Sequence, residues 1–165
     1  MIRVPDLRNE EGFTLLELMV VAVILGALML MTLSTLAGIK QRANDSAAKQ
    51  TAARALETGR IVFTDGATYA AATPAELMAT EPSLTVFDEV TNSSGPQNAS
   101  MWVPDAATTG HTFVAAVYSD SGRCFYIRDW ITLGIGFGVE NDVGPADCTA
   151  DKATTVTFGT RWPAA

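Results

Sequence analysis

A chain of 165 residues has room for one modest domain plus an anchoring segment, and no internal repeat or low-complexity domain divides it further. Eleven Lys and Arg against eighteen Asp and Glu leave a formal net charge of −7. Five of the bases, Lys40, Arg42, Lys49, Arg54 and Arg60, lie along one helical stretch, so a general nucleic-acid surface is not indicated. Low Lys with abundant Ala, Thr, Ser and Gly suits an exported surface protein. The two cysteines, Cys124 and Cys148, read as a disulfide in an oxidising compartment and as free thiols in a reducing one. With one distant histidine, His111, they make a poor metal site.

Met1 to Glu11 is charge-rich, holding Arg3 and Arg8 against Asp6, Glu10 and Glu11, and it ends abruptly at Gly12. From Leu18 to Ile39 no residue is charged, a run of 22 positions. As an α-helix that run would cover roughly 33 Å, about the thickness of a bilayer's hydrocarbon. Glu17 stands at its entrance. A carboxylate costs at least ~2.5 kcal/mol near the centre of a membrane helix and less toward the interface, so it points to a function with a partner. A secretory signal peptide would put its cleavage site after the apolar stretch, following small residues. Here the polar-to-apolar boundary comes first.

That junction resembles the prepilin leader of the type IV pilins and type II secretion pseudopilins. The residues that carry the resemblance are Gly12, Phe13, Thr14, Leu15 and Glu17, followed by an unbroken apolar helix. In that family a membrane aspartic protease, the prepilin peptidase, cuts after the glycine and N-methylates the new first residue. The resemblance therefore implies a leader at 1–12, processing at Gly12 and Phe13, and a transmembrane, filament-core helix over 13–39. It implies an exported pilin-like domain over 40–165, and an assembly role for Glu17 with the new amine of Phe13. The leader departs from the family in carrying more acid than base, although Asp and Glu count little in the positive-inside rule.

Helical character continues past Ile39. Lys40 to Arg60 is rich in strong helix formers, and Ala43, Ala47, Ala48, Thr51, Ala55, Leu56 and Gly59 recur at spacings of three and four as one small-residue face. One helix from Phe13 to about Thr58 is expected, ~46 residues and near 70 Å long, with Gly59 as its stop. Within it Gly26, Gly38, Thr32, Ser34 and Thr35 either permit bending and local melting or serve helix–helix packing in a membrane.

After Arg60 an irregular segment opens with Ile61-Val62-Phe63. Thr73-Pro74-Ala75-Glu76 reads as a helix N-cap, and Leu84 to Phe87 alternates like a short strand. Residues 91–98 are a loop by composition. Asn92-Ser93-Ser94 and Asn98-Ala99-Ser100 match the short, common N-glycosylation triplet at Asn92 and Asn98. His111–Tyr118 and Arg123–Trp130, joined through Ser119-Asp120-Ser121-Gly122, make a hairpin. Thr154–Gly159 is a third strand candidate, and Gly134–Asp151 reads as a glycine- and acid-rich loop. The fold class is α+β: a long N-terminal α-helix, transmembrane in its first half and amphipathic in its second, packed on a small antiparallel β-sheet of three to four strands.

The resemblance places a C-terminal disulfide-closed loop where Cys124 and Cys148 stand; such a bond would close a loop of ~25 residues, worth roughly 3 kcal/mol. Glu140, Asp142, Asp147 and Asp151 crowd the same loop and are weak calcium candidates, since calcium takes six to eight oxygens and the spacing matches no EF-hand. No other metal and no cofactor is expected. His111 lacks a nucleophile partner and reads as structural. No phosphate loop, nucleophile elbow or zinc-protease motif is present, so no enzyme activity is expected. The resemblance implies a structural subunit of a type IV pilus. It would be held in the cell membrane by lipid, with its C-terminal domain outside the cytoplasm. It would then polymerise into an extracellular homo-oligomeric filament through the inner-membrane assembly machinery. Two alternatives stand beside it, a type II secretion pseudopilin and a monomeric membrane-anchored binding domain.

Overall fold

A computed structural model describes residues 13–163 of the chain, and for residues 31–35 the backbone alone. The leader at 1–12 therefore lies outside the described residues, Gly12 with it. The chain divides into two compact units, with the division between Ile39 and Lys40. Helix α1, Leu15–Gly66, contributes to both. Among the described residues no helix is long and apolar enough to cross a membrane. The side chains of residues 31–35, inside the uncharged run, are not among those described.

In the second unit the order is the C-terminal part of α1, a 3-10 turn at Tyr69–Ala71, α2 (Pro74–Thr80), β1 (Thr85–Phe87), β2 (Asn98–Trp102), β3 (Thr112–Ser119), β4 (Arg123–Trp130), β5 (Gly134–Asn141), and two further 3-10 turns at Pro145–Asp147 and Ala150–Thr154. The strands form one sheet in the order β1-β2-β3-β4-β5. β1 pairs parallel to β2, and the other pairs are antiparallel. The α+β class stands, but the sheet is mixed and five-stranded rather than antiparallel with three or four.

Three local expectations are corrected. α1 does not stop at Gly59 but runs on to Gly66, and Ile61-Val62-Phe63 is helical. Gly59 is there for space, because a Cβ on it would stand 2.9 Å from the Phe113 ring. The helix ends instead at Ala67, in the left-handed region at φ 53, whose N–H donates to the Phe63 carbonyl at 2.7 Å. The second correction concerns Gly134–Asp151, whose first half is β5. A glycine-rich strand forms here because the chain returns across it. A Cβ on Gly136 would meet Phe158 at 3.0 Å, and one on Gly138 would meet Val156 at 2.5 Å. The third is Thr154–Gly159, which is not a named strand. Its one ladder contact is a bridge between Gly159 and Phe137. Elsewhere the sequence signals hold: the Thr73 hydroxyl accepts from the Glu76 N–H at 3.2 Å and caps α2.

Alternation along β3 and β4 gives the sheet two packed faces. Phe113, Ala115, Val117, Phe125 and Ile127 join Ala48, Ala52, Ala55, Leu56 and Val62 of α1 in one core. Alanines on the helix let it approach the sheet closely. On the opposite face Val114, Ala116, Tyr118, Cys124 and Tyr126 pack with Cys148, Ala150 and Ala153.

Candidate functional site

In the first unit the candidate site is the start of α1. Thr14 caps the helix, its hydroxyl accepting from the Glu17 N–H at 3.2 Å and its carbonyl accepting from Glu17 and Leu18 at 3.1 and 3.2 Å. Thr14-Leu15-Leu16-Glu17 thus has the Thr-x-x-Glu order of a capping box, and Glu17 puts an acid in the first helical turn, where the helix dipole favours it. Sequence reading had assigned no role to Thr14 beyond the motif. Phe13, 77% exposed, precedes the cap. Onward from it Leu15, Leu16, Leu18, Met19, Val20 and Val21 are all exposed, and so are large apolar side chains as far as Leu36 and Ile39. Apolar surface on consecutive helical positions covers every side of the helix, and among the described residues of the first unit nothing buries it. Such surface stays stable only when lipid or protein covers it.

In the second unit Cys124 and Cys148 form a disulfide. The bond ties the start of β4 to the C-terminal segment, and the Cys148 carbonyl accepts from the Ser93 N–H at 2.9 Å. The acids crowded near it are dispersed. Glu140 lies on β5 and accepts from the Tyr126 hydroxyl at 3.3 Å, while Asp147 pairs with Lys152 at 2.8 Å. Asp142 is exposed at φ 57, and the Asp151 N–H donates to the Glu89 carbonyl. Among the described residues no group of three or more His, Cys, Asp or Glu is placed to hold a metal ion. His111 is exposed, and its backbone N–H donates to the Asp105 carboxylate at 2.9 Å. The Asn92 side chain donates to the Pro145 carbonyl at 2.9 Å. Asn98 begins β2 and its amide oxygen accepts from Ser94 at 2.9 Å.

Two buried carboxylates that sequence reading missed join α1 to the sheet. Asp45 accepts from the hydroxyls of Ser119, at 2.6 Å, and Ser121, and pairs with Arg123 at 2.9 Å. Burial alone would raise its carboxyl, but those two hydroxyls and the guanidinium outweigh it and hold Asp45 below the ordinary range. Asp129 takes Arg60 at 2.8 Å and the Tyr69 hydroxyl at 2.7 Å on one oxygen. The bond to Asp129 raises Arg60 above its usual value, and burial with the same carboxylate pushes Tyr69 up as well. Both acids were findable. Asp45 continues the stripe Ala48-Ala52-Ala55-Gly59 by one turn, and Asp129 follows Phe125 and Ile127 in the inward alternation of β4.

Residues 7–33 match the family model described as the prokaryotic N-terminal methylation motif. The match brackets Gly12, Phe13 and Glu17 and runs into the exposed apolar part of α1. It supports a pilin-like or pseudopilin-like protein. Neither a curated protein nor a solved structure matches the chain.

Proposed function

We propose that the chain is a structural subunit of a type IV pilus, cut after Gly12, N-methylated on Phe13, and polymerised through the first half of α1. The observation that carries the reading is the coincidence of the methylation motif at 7–33 with a helix whose apolar side chains are exposed on every side. Two solvents suit such a helix in turn. Before assembly the uncharged run from Leu18 to Ile39 lies in the bilayer, where a helix satisfies its own backbone groups. After assembly the same side chains pack against those of other copies. Head-to-tail addition of one asymmetric subunit then gives an open helical filament.

The Cys124–Cys148 bond supports export beyond the reducing cytoplasm, with residues 40–165 on the far side of the membrane in this reading. The reading is structural rather than enzymatic: the two carboxylates buried in the second unit, Asp45 and Asp129, are committed to holding α1 on the sheet. Prepilin peptidase and the inner-membrane assembly machinery are the partners this reading requires. Intact-mass measurement of membrane-extracted protein tests it, together with electron microscopy of sheared surface material. The expected species has lost Met1 to Gly12, carries one added methyl group, and is found in filaments. A stable species that retains the leader would overturn the proposal. A processed species found only in the cell envelope would move the assignment to a secretion pseudopilin.

A further inference from the structure

The register of the sheet sets four residues in one row across the face opposite α1. Trp102 on β2 pairs with Val114 on β3, Val114 with Arg128 on β4, and Arg128 with Gly136 on β5. Gly136 leaves the end of that row open, and Phe158 descends into the gap. Trp130 lies two residues beyond Arg128 on the same face of β4. The guanidinium of Arg128 therefore sits between two rings inclined at 60° to each other, with its carbon 3.2 Å from the centre of the Trp130 ring and 3.9 Å from that of Phe158.

Contact with aromatic rings satisfies none of a guanidinium's N–H donors, which point out from its edge and still need acceptors. Among the described residues no carboxylate forms an ion pair with Arg128. Arg60, Arg123 and Lys152 each pair with an acid, whereas the Nε of Arg128 is buried and finds no partner among the described residues. An unpaired, partly desolvated cation is costly to keep. Beside it lies a recess of about 290 Å³ lined by Trp102, Thr112, Val114, Arg128, Trp130 and Thr154. Asp105 also borders it, but its oxygens are taken by the Thr109 hydroxyl and the N–H groups of His111 and Thr112.

We propose that this recess binds an acidic sugar, a single pyranose ring carrying a carboxylate, with the carboxylate on the edge of Arg128. An arginine edge matches a carboxylate in charge and in fork geometry. The indoles of Trp102 and Trp130 offer flat apolar walls for the C–H face of a ring, and the hydroxyls of Thr112 and Thr154 can meet its hydroxyl groups. The volume is at the small end for ligand sites and suits one ring rather than a chain of them. All the residues involved belong to the second unit, so the site is independent of how the chain is anchored or assembled.

The test uses the full chain in detergent micelles, following the three tryptophan indole N–H resonances during titration with glucuronate, glucose and acetate. Glucuronate is expected to shift the Trp102 and Trp130 signals saturably, with the Trp162 signal unmoved. Glucose with the wild type and glucuronate with the Arg128→Met variant are each expected to bind at least about tenfold more weakly, the loss of one charge-assisted contact, and acetate, which lacks the ring, by a similar factor. Arg128→Lys keeps the charge without the fork and should fall between. Thr154→Val leaves the stack alone and should weaken glucuronate about threefold, so it decides the matter if Arg128→Met does not fold. The proposal is overturned by a glucuronate titration without saturation. Equal binding of glucose or acetate, or unchanged binding by Arg128→Met, overturns it as well. A ligand-free shift of the Trp130 signal with protein concentration would overturn it too, since a second copy would then occupy the recess.

Discussion

Gly59 faces the ring of Phe113 so closely that a Cβ built on it would stand 2.9 Å from the ring edge. Phe113 is fully buried and has no room to retreat. Replacing glycine by alanine inside a helix ordinarily stabilises it by about 1 kcal/mol. Here overpacking costs about 1–3 kcal/mol against that gain. Gly59→Ala is therefore expected to destabilise the folded domain by about 1 kcal/mol, measured as a lower melting temperature. A higher one would show that the helix and sheet can part without loss.

Asp45 makes the second unit sensitive to acid. Its carboxyl is held below the ordinary range, so its contribution is complete above about pH 4 and is lost as pH falls through the lowered value. Asp45→Asn should cost about 2 kcal/mol at pH 7. The gap between variant and wild type should close as both are taken below about pH 4. Thermal melts of the two proteins over that range measure it, and a gap independent of pH would remove the carboxylate from the account.

Reducing the Cys124–Cys148 bond should lower stability by about 3 kcal/mol, because the 24-residue separation it closes becomes free in the unfolded chain. The C-terminal segment that covers β5 should loosen first, since Cys148 anchors it to β4. Limited proteolysis under reducing conditions should then cut near residues 143–156 before it cuts α1. Initial cleavage within α1 would place the weak point elsewhere.

The helix cap and the assembly role proposed for Glu17 are separable by mutation. As the third residue of the capped helix Glu17 can be replaced by Gln without loss of the cap, because Gln serves equally there. Glu17→Gln removes only the charge that the proposed pairing with a neighbour's Phe13 amine requires. It should leave the leader removed and the second unit folded while filaments become scarce, since an unpaired polar partner in an apolar core is penalised. Thr14→Val, by contrast, should weaken the helix start by about 1 kcal/mol and leave Glu17 charged. Electron microscopy of sheared material with immunoblots for processed subunit compares the two. Normal filament yield from Glu17→Gln would show that the carboxylate serves only the cap.

The methylation motif around Gly12 and Phe13 was legible in the sequence because it is a local signal carried by consecutive residues. The long helix, the Thr73 cap and the β3–β4 hairpin were legible for the same reason: residue spacing and turn chemistry act within a few positions. What only the tertiary structure decided involves residues far apart in the chain. Gly59 looked like a helix stop until Phe113 was placed against it, and Gly136 and Gly138 looked like a loop until Phe158 and Val156 were laid over them. In both cases glycine is required by a side chain arriving from elsewhere rather than by its own backbone. Asp45 and Asp129 likewise acquire their partners Arg123 and Arg60 only in the folded chain. Periodicity reports which face of an element is buried, and only packing reports what that face is buried against.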